Sequence, residues 1–314
     1  MPDKPQILVV GSITMDMAVH CPHLPAPGQA IRTAANFVTS PGGKGLLQAA
    51  AAARMGGNVS IIGCVGDDLF GHQLIDALQE EGIDTAAVCT NSTAPTGVSI
   101  ILVDSKGENA TIVAAGANAA VTADDHLFTH EDLFKTADIV LLQLELPLPT
   151  LRAAANLARS HGCMIVLDPA PGMQGLCSEL SHVDVICPNV IQAELITGKQ
   201  TGEERADMNI GLDLIAQGAQ AAVLKLGPRG CLVVTGQGEF VRVPPYKVDI
   251  ADTSGAGDAF TGALVTALGR KHDLATAAKW ANAAGALACT KIGTLAALPT
   301  YDEVRLLMAD NGNT

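Results

Sequence analysis

Short apolar runs of strand length alternate with helix-patterned segments through most of this chain, and that rhythm leaves few folds open to it. Residues 6–10, 59–65, 138–142, 163–167, 183–186 and 221–226 are mostly apolar runs of strand length, as strands covered on both faces tend to be. Between them, 45–55, 71–81, 150–161 and 205–217 carry helical spacing. Such alternation predicts an α/β fold in three layers, with a mainly parallel central sheet between two sets of helices. The carboxyl-terminal third reads as helical over 256–269, 274–289 and 301–309.

Two segments break the rhythm. Residues 15–40 carry Pro22, Pro25 and Pro27, lack helical spacing and alternate around 31–38. Stretches 97–103 and 110–114 form a hairpin pattern that turns at 105–109. Both suit a small antiparallel sheet standing off the main body as a lid, inserted at about 12–40 and 96–115 in one domain of residues 1–314. A lid has a chemical use wherever water must be kept from a reactive group. No internal repeat or low-complexity linker interrupts the chain.

Charge narrows the partners. The formal net charge is −13 and no lysine- or arginine-rich run occurs, which argues against nucleic acid or an anionic membrane as a partner. An anionic small molecule stays open, because a few basic groups and backbone amides suffice to bind phosphate. Residues 1–10 are too short for a secretory signal, and no apolar run reaches the ~18 residues of a membrane span. The eight cysteines are scattered without a C-x-x-C pair. They read as free thiols in a reducing cytoplasm, not as a zinc or disulfide framework.

The stretch richest in chemistry is Asp252-Thr253-Ser254-Gly255-Ala256-Gly257-Asp258. Small residues open an apolar helix there, so the unpaired amides of Gly255, Ala256 and Gly257 can face an anion. Asp258, in the first turn, could take a hydroxyl proton beside that anion. It could equally be a favourable helix-start charge closing a glycine turn. A second stretch, Gly42-Gly43-Lys44-Gly45, lets backbone approach a polar ligand closely and offers Lys44 to it. No G-x-x-x-x-G-K-[ST] and no post-strand G-x-G-x-x-G is present, which weakens P-loop and dehydrogenase readings.

Taken together, these two stretches resemble the paired signatures of the PfkB carbohydrate kinase family, and the resemblance is nearest its ribokinases. Further landmarks follow in order: Gly11-Ser12-Ile13 with Asp16, Gly66-Asp67-Asp68, Gly107-Glu108-Asn109, Gly116-Ala117-Asn118, Gln143-Leu144-Glu145, Asp168-Pro169-Ala170-Pro171, Pro188-Asn189 and Leu226-Gly227-x-Arg229-Gly230. The resemblance implies a ribokinase-like fold and ATP-dependent phosphorylation of a sugar hydroxymethyl group. By that likeness Asp258 is the catalytic base, and Gly255, Ala256 and Gly257 form the anion hole. Thr14, Asp16, Gly43, Lys44, Leu47 and Glu145 fall at sugar positions. Asn189, Lys225, Gly227, Arg229, Gly230, Gly257 and Asn282 fall around ATP. Asp252, Ser254, Ala288, Lys291 and Gly293 resemble a monovalent-cation site for K⁺, and Mg²⁺ is implied with the nucleotide.

Departures from the family pattern bear on the substrate. Ribokinases carry asparagine where this chain has Thr14 and Leu47, and deoxyribokinases also lack the first. A ribose hydroxyl left unpaired against Leu47 would cost about 1–3 kcal/mol. Ribose, deoxyribose and a nucleoside therefore all stand as candidate acceptors. The family's N-x-x-E reads Asn189-Val190-Ile191-Gln192, and a serine of the cation loop appears as Ala297. Those losses keep a catalytically weak sugar-binding sensor in view beside the kinase. The lid's open edge could also pair across a homodimer.

Overall fold

Odd and even positions of the central strands bury on opposite faces. In β1 (Gln6–Val10), Ile7 and Val9 pack into one apolar core while Leu8 and Val10 pack into the other. The same parity recurs in β8 (Ile139–Leu142), where Ile139 and Leu141 face one way and Val140 and Leu142 the other. A strand buried on both faces needs consecutive apolar residues, which is why these runs were continuous in the sequence. The computed structural model describes residues 4–33, 35–106, 109–310 and 312; Gly107 and Glu108 lie outside them.

Nine strands form the main sheet in the order β13-β12-β11-β10-β9-β8-β1-β4-β5. The others are β4 (Asn58–Gly66), β5 (Val88–Asn91), β9 (Met164–Leu167), β10 (Val185–Ile186), β11 (Ala221–Lys225), β12 (Cys231–Thr235) and β13 (Phe240–Val243). Among the described residues β11, β10, β9, β8, β1, β4 and β5 pair in parallel, and β12 runs antiparallel to both its neighbours, β11 and β13. Neither β5 nor that hairpin was expected from the sequence. On one face lie α1 (Lys44–Arg54), α2 (Leu69–Glu80), α8 (Ala256–Gly269), α9 (Leu274–Ala288) and α10 (Tyr301–Asp310). The opposite face carries α3 (Glu131–Thr136), α4 (Leu148–Ser160), α5 (Ser178–Ser181), α6 (Val190–Thr197) and α7 (Glu204–Ala216).

The lid is a four-stranded sheet in the order β3-β2-β6-β7, built from β2 (Thr14–His20), β3 (Phe37–Gly42), β6 (Gly97–Val103) and β7 (Asn109–Ala114). It is mixed and not purely antiparallel, because β2 and β6 pair in parallel from Thr14↔Gly97 to His20↔Val103. Both strands leave neighbouring ends of the main sheet in one direction, β2 after β1 and β6 after β5, so they exit side by side. The strand read around 31–38 begins only at Phe37 and runs through Pro41. Proline is tolerated there because β3 is an edge strand whose outer N–H has no ladder partner to lose.

Helices α1 and α8 approach unusually closely. A β-carbon on Gly262 would meet the Ala51 β-carbon at 2.4 Å, and Thr266 Oγ1 reaches across to Ala52 O at 3.2 Å. The alanine run 49–53 and Gly262 are what permit this, since larger side chains would hold the axes apart. The contact brings the first turns of both helices to one place at the carboxyl ends of the parallel strands, where open α/β sheets form their crevices.

Candidate active site

Helix α1 starts directly after Gly43, which takes φ +85°, a conformation that favours glycine. Its first turn is capped by other parts of the chain. Lys44 N–H donates to Glu145 Oε2 at 3.1 Å, Leu46 N–H donates to Ser12 O at 3.0 Å, and Ser12 Oγ donates to the same Glu145 oxygen. A carboxylate is well placed at a helix amino terminus. A β-carbon on Gly45 would lie 2.5 Å from the carbonyl carbon of Gly11, so glycine is what allows α1 to sit against the β1–β2 connection. Glu145 thus already has a structural duty, besides any ligand it meets.

Lys44 and Gln48, one helical turn apart, both face the start of α8. Asp258 is the third residue of that helix, after Gly255 in the left-handed conformation, and is 5% exposed. Lys44 Nζ lies 3.6 Å from Asp258 Oδ1. The fully buried Gln48 donates through Nε2 to Asp258 Oδ1 at 2.9 Å and to Asp168 Oδ2 at 2.8 Å, and accepts from Gln143 Nε2 at 2.9 Å. Asp258, against the effect of burial and with Asp168 and Glu145 adding, holds the Lys44 ammonium well above the ordinary lysine range. An acid so held can accept a proton from a hydroxyl set before it while the lysine balances its charge.

On the lid side of Asp258 lies Asp16, buried on β2. Its carboxyl is raised above the ordinary carboxylate range, first by burial, which outweighs hydrogen bonds from Ser99 and Thr14; the charges of Glu145 and Asp258 raise it further. Thr14 Oγ1 stands 3.3 Å from Asp16 Oδ1 and 3.5 Å from Ser99 Oγ. Leu47 is 4% exposed and belongs to the apolar core between sheet and helices. The two positions that depart from the family pattern therefore differ: Thr14 joins the polar group around Asp16, and Leu47 packs inward.

Across the α8 amino terminus from Asp16 opens a cavity of about 380 Å³, within the range of small-molecule sites. Lys44, Asp168, Asn189, Gln192, Lys225 and Asn282 line its polar part, while Tyr246, Val248, Ile250, Phe260 and Ala286 supply apolar wall. Asn189 and Gln192 hold each other at the start of α6: Gln192 N–H donates to Asn189 Oδ1 at 2.9 Å and Asn189 N–H to Gln192 Oε1 at 2.8 Å. Asn282 Nδ2 donates to Pro244 O at 2.7 Å. Gly227 and Gly230 take φ +57° and +79° in the tight β11–β12 turn. Arg229 corrects the sequence expectation in its side chain. Its guanidinium pairs with the buried Asp207 of α7 and donates to Gly202 O at 2.7 Å, so Gly227, Pro228 and Gly230 of this turn border the cavity and Arg229 does not.

The loops at 252–255 and 289–294 lie side by side. Asp252 Oδ1 accepts Ser254 N–H at 2.9 Å and Oδ2 accepts Gly293 N–H at 3.0 Å. Burial pushes this carboxyl up, but those amide hydrogen bonds prevail and hold it below its ordinary value. Lys291 N–H reaches Ala288 O at 3.4 Å while its ammonium turns outward to Glu303. Ala297, fully buried, donates its N–H to Thr294 O. Of the residues expected at a cation loop, Asp252 is thus held to Ser254 and Gly293, and Lys291 to Ala288.

Several contributors had no role assigned from the sequence. Gln48, Gln143, Ser99 and Thr261 lie far apart in the chain, and only the i,i+4 spacing of Lys44 and Gln48 pointed to one of them. Asn118 was only a landmark; it clamps Ile13 by accepting its N–H at 2.9 Å and donating to its carbonyl at 2.8 Å. Spacing also could not reveal that Cys64, Cys89 and one nitrogen of His126 lie within 4.8 Å of one another. His126 Nδ1 accepts Thr122 N–H, which leaves the proton of a neutral ring on the other nitrogen, and burial with Cys89 pushes the Cys64 thiol up to about 12. The trio packs as core. All eight cysteines are unpaired, and among the described residues no helix is long and apolar enough to cross a membrane.

Known proteins resemble this chain along most of its length. The profile described as pfkB family carbohydrate kinase matches residues 4–301. A ribokinase of Haemophilus influenzae is 35% identical over 298 residues, covering 95% of this chain and 96% of its own. A deoxyribokinase of Salmonella typhi is 32% identical over 302 residues, with 95% and 96% covered. The structure of Arabidopsis thaliana ribokinase complexed with ribose and ATP superposes with a TM-score of 0.89 at 26% identity, covering 98% of this chain and 99% of that one.

Proposed function

The chain belongs to the pfkB family of carbohydrate kinases, and from that premise we propose that it moves the γ-phosphoryl of ATP onto the hydroxymethyl group of a pentose or a close relative. The observation that carries this reading is the place of Asp258, between the buried Asp16 of lid strand β2 and the 380 Å³ cavity, with Lys44 and Gln48 on its carboxylate. A hydroxyl held at Asp16 would stand before Asp258, which takes its proton. The oxygen bonds to the γ-phosphorus, the bond to the β–γ bridging oxygen breaks, and that electron pair leaves with ADP. Ala256 N–H rests on Thr253 O and Asp258 N–H donates to Gly255 O, so the amides of Gly255 and Gly257 are the ones left to face the charge that develops, and the lid excludes water as a rival acceptor.

Mg²⁺ fits the residues present. Asp168 lines the cavity, and its buried Oδ1 has no hydrogen-bond partner among the described residues, so it can accept from a water of a hydrated ion. When bound, the ion shields the phosphate charges. Asp252 with Ser254, Ala288, Lys291 and Gly293 would serve K⁺ and fix the anion hole through Gly255. A cytoplasmic setting suits the nucleotide and the free thiols. A homodimer is also part of the reading, because Phe37, Val38, Ile112 and Val113 of the lid are all more than half exposed. Relatives bear the names ribokinase and deoxyribokinase, and Thr14, whose hydroxyl stands between Asp16 and Ser99, favours the less hydroxylated acceptor; a nucleoside is the second candidate. A screen of pentoses, deoxypentoses, hexoses and nucleosides with ATP and Mg²⁺ tests the proposal, and no phosphoryl transfer to any of them would replace it with the sugar-binding sensor.

A further inference from the structure

Resting on the kinase reading, we infer that Lys225 is a catalytic residue that leaves Asp168 to meet the γ-phosphoryl of the bound nucleotide. Lys225 is the last residue of β11, and its side chain is only 10% exposed. Nζ lies 3.0 Å from Asp168 Oδ2 and 3.4 Å from Thr261 Oγ1. It also stands 4.0 Å from the point a β-carbon on Gly257 would occupy. The ammonium therefore hangs over the first turn of α8, beside the amides that face an incoming anion.

Charge singles this residue out. Of the groups lining the cavity, Lys44 and Lys225 are the cations and Asp168 is the carboxylate. Lys44 is committed to Asp258, at the acceptor end. That leaves Lys225 to balance a polyphosphate, which brings several negative charges into a site whose resting ions already cancel. A flexible ammonium on a four-carbon stem can exchange one anionic partner for another without moving the backbone.

Asp168 is built to release it. Oδ2 also accepts from Gln48 Nε2 at 2.8 Å and Thr261 Oγ1 at 3.2 Å. The Gln48 amide therefore remains when the ammonium swings away, Thr261 can turn its single hydroxyl proton to Oδ2, and Asp168 acts as a positioning residue. The other acceptor within reach of that proton is Gly257 O, 2.9 Å from Thr261 Oγ1, so the resting ammonium is held against the same turn that receives the phosphoryl. As the β–γ bond breaks and the γ-phosphorus passes to the acceptor oxygen, a cation at its equatorial oxygens lowers the barrier. ADP has no γ-phosphoryl, and with ADP bound Lys225 stays on Asp168. The residue thus distinguishes ATP from ADP.

Calorimetry with ADP and with the β,γ-imido analogue of ATP, both with Mg²⁺, tests this in the full chain. Lys225→Met should keep ADP affinity within about three-fold, weaken the analogue by about ten-fold or more and lower kcat by ~10²-fold, with acceptor KM little changed. Lys225→Gln repeats the comparison if the Met variant melts early. Equal weakening of both nucleotides, or no change in either, would overturn the assignment. A wild-type protein that binds neither nucleotide would remove the kinase reading and this inference with it, whereas nucleotide binding without transfer to any acceptor would strike the kinase reading and the catalytic role of Lys225, and the calorimetry would still decide whether Lys225 meets the γ-phosphoryl.

Discussion

The side-chain amide of Gln48 donates to Oδ1 of Asp258 at 2.9 Å, linking residues 210 apart in the chain. The same nitrogen donates to Asp168, so one neutral group fixes two buried carboxylates. Asp258→Asn should fold and bind nucleotide but lose ~10²–10⁴-fold in turnover, the worth of a general base. Gln48→Leu leaves both carboxylates short of a donor and should cost about 1–3 kcal/mol of stability, with a smaller loss of turnover. Melting curves and kcat of the two variants separate the roles; an Asp258→Asn enzyme within a few-fold of wild type would remove Asp258 as the base.

Gln192 is bound into the start of α6 by the reciprocal hydrogen bonds with Asn189. Glutamate makes the same capping box, so Gln192→Glu should retain the helix and gain up to about 1 kcal/mol from the helix dipole. Its added charge at the cavity should also lower the Mg²⁺ concentration for half-maximal rate. An unchanged or higher requirement would show that this position does not act on the ion's water shell. Glu194 is no substitute, since its carboxylate is taken by Thr201.

K⁺ should raise turnover several-fold over tetramethylammonium at equal ionic strength, because Asp252 ties the 252–255 loop to Gly293 beside the anion hole. Asp252→Asn should abolish the difference and lower the rate in K⁺ toward that without it. Equal wild-type rates in both salts would mean that the amides at Ser254 and Gly293 alone satisfy Asp252.

Much of this architecture was legible because burial writes itself into local pattern. The doubly covered strands had to be largely apolar, and the glycines at 43 and 255 stand in the left-handed conformation directly before α1 and α8. Pairing between distant segments leaves no such mark. Cys231–Thr235 is as apolar as any parallel strand, and its reversal depends on the turn at Gly227–Gly230, whose geometry spacing alone does not give. The parallel pairing of β2 with β6 likewise follows from where two strands leave the main sheet. Arg229 sat within a recognisable motif, yet Asp207, 22 residues earlier, captures its charge. The Gln143–Gln48–Asp168 chain had no local signal beyond one helical turn between Lys44 and Gln48.

Acidity should act on the acceptor through Asp16. Its folded pKa lies above the ordinary value, chiefly through burial. The folded chain therefore takes up this proton at higher pH than the unfolded chain, and ionised Asp16 costs stability as pH rises through that window. An acceptor hydroxyl donating to the carboxylate offsets that cost. Acceptor KM should consequently rise as pH falls through the mildly acidic range, and Asp16→Asn should have a high KM with no such limb. A wild-type acceptor KM that stays flat on the acid side would separate Asp16 from acceptor binding.

Selectivity among acceptors is the last consequence. Thr14 presents a hydroxyl already shared with Asp16 and Ser99, and Leu47 presents no polar atom at all. Fewer donors and acceptors face the sugar than two amides would supply. Ribose should therefore be a poorer substrate than a less hydroxylated relative, and discrimination should be broad, since apolar contacts separate ligands by only ~1–3 kcal/mol per group. Thr14→Asn restores one amide at the polar position and should raise ribose kcat/KM relative to deoxyribose by up to about ten-fold, the worth of one hydrogen bond. Leu47→Asn acts differently, because it sets an amide into the apolar core and should lower the melting temperature before it aids ribose. The deciding quantity is the ratio of kcat/KM for the two sugars in wild type and Thr14→Asn. If wild type already prefers ribose and the variant leaves the ratio unchanged, the hydroxyls are read by Asp16, Lys44 and Ser99, and Thr14 has no part in the choice.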